Sequence, residues 1–177
     1  MTAATVAAAS LAVVLLLMAG ESAISRRHER WLRQHGAVEP PGDVYGWMQW
    51  AYPGAFVLMG TEGIVSGGSS RAVAAAGIVL FLASKALKYW AMASLGPRWT
   101  FRVLVIENAR LVTSGPYAFV RHPNYVAVVG EMVAMALLVG ARLTGPLATV
   151  LFGVLLWKRV AIEDRALRHP ACSRAQG

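Results

Sequence analysis

The chain has 177 residues, 56% of them hydrophobic and only 15% charged, and a mean hydropathy of +0.51; this moves it out of the ordinary soluble class and points to a single membrane domain over 1–177. One cysteine, Cys172, excludes a disulfide framework or a cysteine metal site within one chain, and His28, His35, His122 and His169 lack paired-ligand spacing, so no metal is expected. The net charge of +8 would suit nucleic acid, but its placement along the chain points to a membrane face instead.

Five apolar stretches approach the roughly 20 residues that cross a bilayer, predicting an all-α integral membrane protein with about five transmembrane helices. The first runs from Thr2 to Gly20 and is nearly pure Ala, Val and Leu. It has no basic residues before it, so it reads as a retained anchor and not a cleaved signal. The second, about 46–65, is weaker because Gln49, Pro53 and Glu62 interrupt it. The third, about 72–95, carries Lys85 and Lys88 near its end, where long cationic stems are expected to reach the interface. The fourth and fifth, about 125–141 and 144–157, are joined by Arg142 and Leu143 and predict a tight helical hairpin. Trp47, Trp50, Tyr52, Trp90, Trp99 and Trp157 fall near span ends, as interfacial aromatics do.

Fifteen of the seventeen Lys and Arg residues then fall on one side, with Arg71 and Arg142 on the other. The positive-inside rule therefore predicts an outside N-terminus and a cytoplasmic C-terminus, in a cytoplasmic (inner) membrane if the source is bacterial. Membrane lipids, and no nucleic acid, are the partners this charge implies. The chain divides at about residue 95, into three N-terminal spans with a cytoplasmic basic loop (1–95) and a polar stretch with the hairpin (96–177). The segment "RRHERWLRQHGAVEPPGD" reads either as an interfacial helix broken at Pro40-Pro41 or as a solvated connection.

Dense polar sequence gathers on the basic side. In "LVTSGPYAFVRHPNYVAVVGEM" (111–132), the Gly-Pro pair marks a turn, and Pro123 stands at a plausible first helical position where its missing N–H is harmless. Each residue here has a plain alternative role. Arg121 alone reads as a headgroup anchor, His122 as an interfacial hydrogen-bonding residue, and Tyr117 and Tyr125 as belt aromatics. Glu163 and Asp164 alone read as a solvated pair balancing Arg159 and Arg165. Glu62 and Glu131 differ, because a carboxyl inside a span is either functional or held protonated in a structural hydrogen bond.

Taken together, "GPYAFVRHPNY", a helical hairpin and "RVAIEDRAL" resemble the isoprenylcysteine carboxyl methyltransferase family, whose signature is a GPY–RHPxY segment, a hydrophobic hairpin and a Glu-Glu pair before a Leu. Glu163-Asp164 is a conservative departure from that pair, and Ala127 stands where many members carry Gly. "SRRHERWLRQHGAVE" and "LGPRWTFRVLVIENARLVTSGPY" extend the resemblance to the small bacterial branch associated with O-methylation of alkylpyrones and alkylresorcinols. The resemblance implies a non-Rossmann, S-adenosylmethionine-dependent O-methyltransferase acting on a lipidic acceptor at the cytoplasmic face, with 96–177 as its cofactor-binding catalytic part. Tyr117, Arg121, His122, Pro123, Tyr125, Arg159 and Glu163 would bind the cofactor. Arg121 and His122 would take its carboxylate, Glu163 its amine or ribose hydroxyls, and the tyrosines its adenine or sulfonium. If the acceptor needs a base, Glu131, His122 or Glu62 would serve, with Glu131 expected to face the acceptor side of the cleft.

Two other classes compete. A sterol-reductase-like NADPH enzyme also uses an RHPNY segment, but a Gly-Glu pair follows its Tyr more closely than Gly130-Glu131 follows Tyr125 here. A non-enzymatic adaptor needs basic residues in no particular order. A phospholipid N-methyltransferase would differ in its amine acceptor, and a transporter is disfavoured by the lack of an inverted repeat.

Overall fold

The computed structural model describes residues 2–106, 109 and 111–168. Five long helices occupy the five apolar stretches: α1 (Ala3–Gln34), α2 (Tyr45–Val65), α3 (Arg71–Leu95), α4 (Pro123–Val139) and α5 (Thr144–Arg168). Single 3-10 turns at Gly96–Arg98 and Gly115–Ala118 lie between α3 and α4. The "FRVLVI" stretch forms no strand; Val38 and Val105 pair there in an isolated antiparallel bridge. Helices α1, α3 and α5 are long and apolar enough to cross a membrane, α4 is apolar but shorter, and α2 is not among the three. Arg110, and the tail that holds His169, Cys172 and Arg174, lie outside the described residues.

Local chemistry sets the helix ends. Thr2 caps α1 by accepting from the Thr5 amide at 3.2 Å. The helix does not stop where hydropathy falls at Gly20. It runs on through "ESAISRRHERWLRQ", which contains no helix breaker, and ends before Gly36, whose φ of +77° suits glycine. The basic segment is thus mostly an extension of α1, which is about 48 Å long. Glu62 of α2 caps α5 from outside, accepting from the Leu143 amide at 3.0 Å, the Thr144 amide at 2.7 Å and the Thr144 hydroxyl at 2.5 Å.

Helices α3 and α4 pack at backbone distance. A Cβ on Gly77 would lie 2.7 Å from the Leu138 nitrogen and 2.8 Å from the Ala134 oxygen, so only glycine fits at that crossing. Phe56, Met59, Met132 and Met135 form the centre of the core, joined by Val14 and Met18 of α1 and by Phe152 and Leu156 of α5. Leu16, Trp47, Trp50, Val150 and Trp157 point outward, as the apolar surface of a membrane protein does.

Charge lies inside as well. Glu21, Lys85, Lys88 and Glu131 are all buried. Lys85 Nζ lies 2.5 Å from Glu21 Oε1 and 3.2 Å from Glu131 Oε2. Lys88 Nζ lies 3.1 Å from Glu21 Oε2 and 2.8 Å from Glu131 Oε1. The expectation that both lysines reach the interface therefore fails, because two glutamates on facing helices hold them in. Trp99 departs from expectation too: it is 2% exposed, not part of an interfacial belt.

Candidate active site

The helix ends that carry the motif residues meet around one cavity of about 670 Å³. Pro123 opens α4 and is itself buried in the helix start, which has no side-chain cap. One turn in, Tyr125 projects toward α5. There Arg159 and Glu163, four residues apart, lie on the same helical face. The Tyr125 hydroxyl donates to Glu163 Oε2 at 2.6 Å and accepts from Arg159 Nε at 2.9 Å. The His122 ring stacks on Tyr125 with centroids 5.4 Å apart. Its Nε2 lies 3.2 Å from Asp164 Oδ1 and its Nδ1 3.8 Å from Glu163 Oε2. Arg121, with a half-exposed side chain, reaches the same Asp164 oxygen at 3.1 Å.

Arg159 anchors the whole arrangement. Its guanidinium is buried and also bonds Asp43 Oδ1 at 3.2 Å and the Phe101 carbonyl. Asp43 in turn accepts from the Tyr45 amide at 3.1 Å and the Val103 amide at 3.2 Å, so it fixes the start of α2 and the segment above the cavity. The segment 99–106 forms a strap across the site, held along the C-terminal half of α1. The Phe101 amide donates to Ser25 Oγ at 2.9 Å, His28 Nδ1 lies 2.8 Å from the Trp99 carbonyl, and Arg102 bonds Glu39 at 2.8 Å. Burial alone would raise the Glu39 carboxyl, but hydrogen bonds from Arg102 and Arg33 outweigh it and hold the group below the usual carboxylate range.

Of the sequence-selected residues, Tyr117, Arg121, His122, Tyr125, Arg159 and Glu163 all border this cavity. Burial, with the negative charge of Glu163, pushes the Tyr117 phenol well above its usual value, so it stays protonated as a donor. Glu62 is not brought to the cavity; it sits at the far end of the α4–α5 hairpin, about 25 Å away along α4. Glu131 lies behind the cavity wall, fully buried, and accepts from the Tyr52 hydroxyl at 2.7 Å. Tyr52, Lys88 and Asn124 belong to the wall. Sequence reading missed Asp43 and Tyr52 as site residues: Asp43 follows Pro-Pro-Gly and looks like a turn former, and Tyr52 looks like a belt aromatic. Among the described residues no group of three His, Cys, Asp or Glu is placed to hold a metal.

The cavity has two kinds of wall. Its polar end holds Arg121, His122, Asn124 and Glu163, while Leu15, Met18, Pro53, Phe152 and Leu156 line an apolar arm between the helices. The same space thus offers both charged groups and hydrocarbon walls.

The sequence profile of the isoprenylcysteine carboxyl methyltransferase (ICMT) family matches residues 77–169. An uncharacterized protein of Bacillus subtilis (strain 168), YpbQ, is 29% identical over 159 residues, covering 90% of this chain and 95% of the relative. An uncharacterized protein of Haemophilus influenzae is 21% identical over 161 residues, covering 90% of this chain and 94% of its own length. No solved structure matches the chain.

Proposed function

The chain belongs to the isoprenylcysteine carboxyl methyltransferase family, a family of membrane methyltransferases that use S-adenosylmethionine, and from that premise we propose that it transfers a methyl group to an oxygen of a lipidic acceptor at the cytoplasmic face. The observation that carries this reading is a shared cavity in which charged motif residues and apolar helix walls meet. Membership of a methyltransferase family favours it over the reductase reading, and the ordered hydrogen-bonded chain Glu163–Tyr125–Arg159–Asp43 is more than a basic lipid-binding adaptor requires.

The residues present fit S-adenosylmethionine. Its amino acid end carries both charges, and the cavity is lined by both the half-exposed Arg121 and the Glu163 carboxylate. Arg121 and His122 bind the carboxylate, and Glu163, held by Tyr125, takes the amine or a ribose hydroxyl. Tyr117 and Tyr125 supply π faces for adenine or the sulfonium. Bound there, the cofactor supplies an electrophilic methyl on sulfur. The protein's contribution is alignment in a space the strap shields from water, since holding two reactants in line provides most of the acceleration in such a displacement. An alkylpyrone, an alkylresorcinol or a prenylcysteine-like carboxylate matches the apolar arm. Incubation of purified protein with methyl-labelled S-adenosylmethionine and a total lipid extract should yield a labelled lipid ether or ester. Label confined to amines, or no transfer with cofactor bound, would overturn the reading.

A further inference from the structure

The charged cluster behind the cavity wall is not explained by cofactor binding. Glu21, Lys85, Lys88 and Glu131 sum to zero charge and join α1, α3 and α4 at membrane depth. Ionisable groups in such a place are costly, and replacing them with apolar side chains is often neutral or stabilising, so fold maintenance does not by itself account for them. The cluster touches the cavity at two points, Tyr52 and Lys88. The Tyr52 hydroxyl spends its proton on Glu131 Oε2 at 2.7 Å, which leaves its oxygen a lone pair able to accept a hydrogen bond, and Tyr52 itself lines the cavity. Lys88 Nζ lies 5.7 Å from the centre of the same ring. Glu131 Oε1 takes its charge contact from Lys88 without a directed hydrogen bond, so the carboxylate has unused accepting capacity in a fully buried setting.

We infer that Tyr52 and Glu131 form a proton relay that ionises a hydroxylic acceptor, with the Lys85–Lys88–Glu21 group as its electrostatic support. The inference rests on the methyl-transfer reading and names the acceptor class that needs it: a phenol or enol that is still protonated at neutral pH. A phenol with an ordinary pKa of about 10 requires such help, whereas a carboxylate does not. The O–H bond of the acceptor breaks and its proton passes to the Tyr52 oxygen, as the Tyr52 proton moves to Glu131 Oε2. The electron pair left on the acceptor oxygen forms the new bond to the methyl carbon, and the carbon–sulfur pair stays with sulfur.

Charge stays balanced through this sequence. Proton transfer creates an acceptor anion beside a cluster that is now positive by one. Methyl transfer then neutralises the anion and the sulfonium together, and the cluster keeps the single positive charge that the sulfonium carried before. The cluster returns to neutrality when the Glu131 proton passes back through the Tyr52 oxygen to water entering the cavity as the product leaves, so its unit positive charge lasts only for the turnover. Glu131 therefore acts through Tyr52, and Tyr52 is the group that meets the acceptor.

The test uses 4-pentadecyl-2-nitrophenol, whose phenolate absorbs in the visible, bound to the detergent-solubilised protein without cofactor. Wild-type protein should hold roughly tenfold more phenolate than the Tyr52→Phe variant at a given pH, a difference of about one pKa unit. With 5-pentadecylresorcinol and S-adenosylmethionine, Tyr52→Phe should lose about 100-fold in methyl transfer, the scale of general base catalysis. The same variant should keep transfer to a ring-fluorinated pentadecylphenol, already ionised at the assay pH, within about threefold, since the base term then drops out. Equal phenolate in both proteins, or equal loss with both acceptors, overturns the relay. A wild-type protein that binds no S-adenosylmethionine in a calorimeter overturns the methyl-transfer reading instead, a result visible before any variant is made.

Discussion

The motif end of the cavity draws its charged groups from two short stretches, 117–125 and 159–164, whereas the cluster at membrane depth takes Glu21 from α1, Lys85 and Lys88 from α3 and Glu131 from α4. Their exposure differs accordingly. The side chains of Arg121, Glu163 and Asp164 are 55%, 29% and 24% exposed, while none of the four buried partners exceeds 7%. The first group, its buried Arg159 aside, keeps charge available to a ligand. The second satisfies its own charges and offers the cavity one phenol and one ammonium stem. A membrane protein can thus hold ionised groups in two ways, and only the open way leaves a compact trace in sequence.

The largest expected effect comes from unbalancing the closed cluster. Glu21→Gln leaves Lys85 and Lys88 sharing one carboxylate and should cost about 3–5 kcal/mol, as the loss of one partner from a buried pair does. It would be measured by unfolding in detergent. Adding Lys85→Gln restores neutrality and should recover most of the loss; if the double variant is no better than the single one, the cluster does not work as a charge-balanced unit. An intermediate effect is expected at the open end. Glu163→Gln should weaken S-adenosylmethionine binding in a calorimeter by about 1.5–3 kcal/mol, the worth of a charged hydrogen bond, with little change in unfolding temperature. A larger fall in stability than in affinity would move Glu163 from ligand binding to scaffolding.

The smallest effect concerns the strap. The Glu39 carboxyl has its pKa depressed in the folded state, so its contribution is present above the ordinary carboxylate value and lost as pH falls through the depressed one. Hydrogen exchange at the Val105 amide, bonded to the Val38 carbonyl at 3.0 Å, should accelerate on acidification through and below the ordinary carboxylate range, beyond the intrinsic pH trend of a free peptide. Glu39→Gln should show that faster exchange already at neutral pH. An unchanged rate in the variant would mean that the bridge and the Ser25 contact hold the strap without help.

Much of this architecture could be read from local pattern. The hairpin, the Pro123 helix start and the face shared by Arg159 and Glu163 all follow from short-range spacing. What escaped reading depended on partners far away in the chain. Lys85 looks like an interfacial lysine until Glu21, 64 residues earlier, is placed opposite it. Asp43 lies 116 residues from Arg159, and Tyr52 lies 79 from Glu131. The end of α1 was missed for another reason: hydropathy marks where a membrane stops, but a helix continues until a breaker such as Gly36 intervenes.

The glycine crossing of α3 and α4 leaves no room between the two backbones at Gly77. Ala19 of α1 and Gln49 of α2, by contrast, belong both to the cavity wall and to the outer surface. One flank of the molecule is therefore closed at a glycine contact, while another carries residues shared by cavity and surface. A bulky residue at Gly77 would be felt as broken masonry, and one at Ala19 as obstructed traffic.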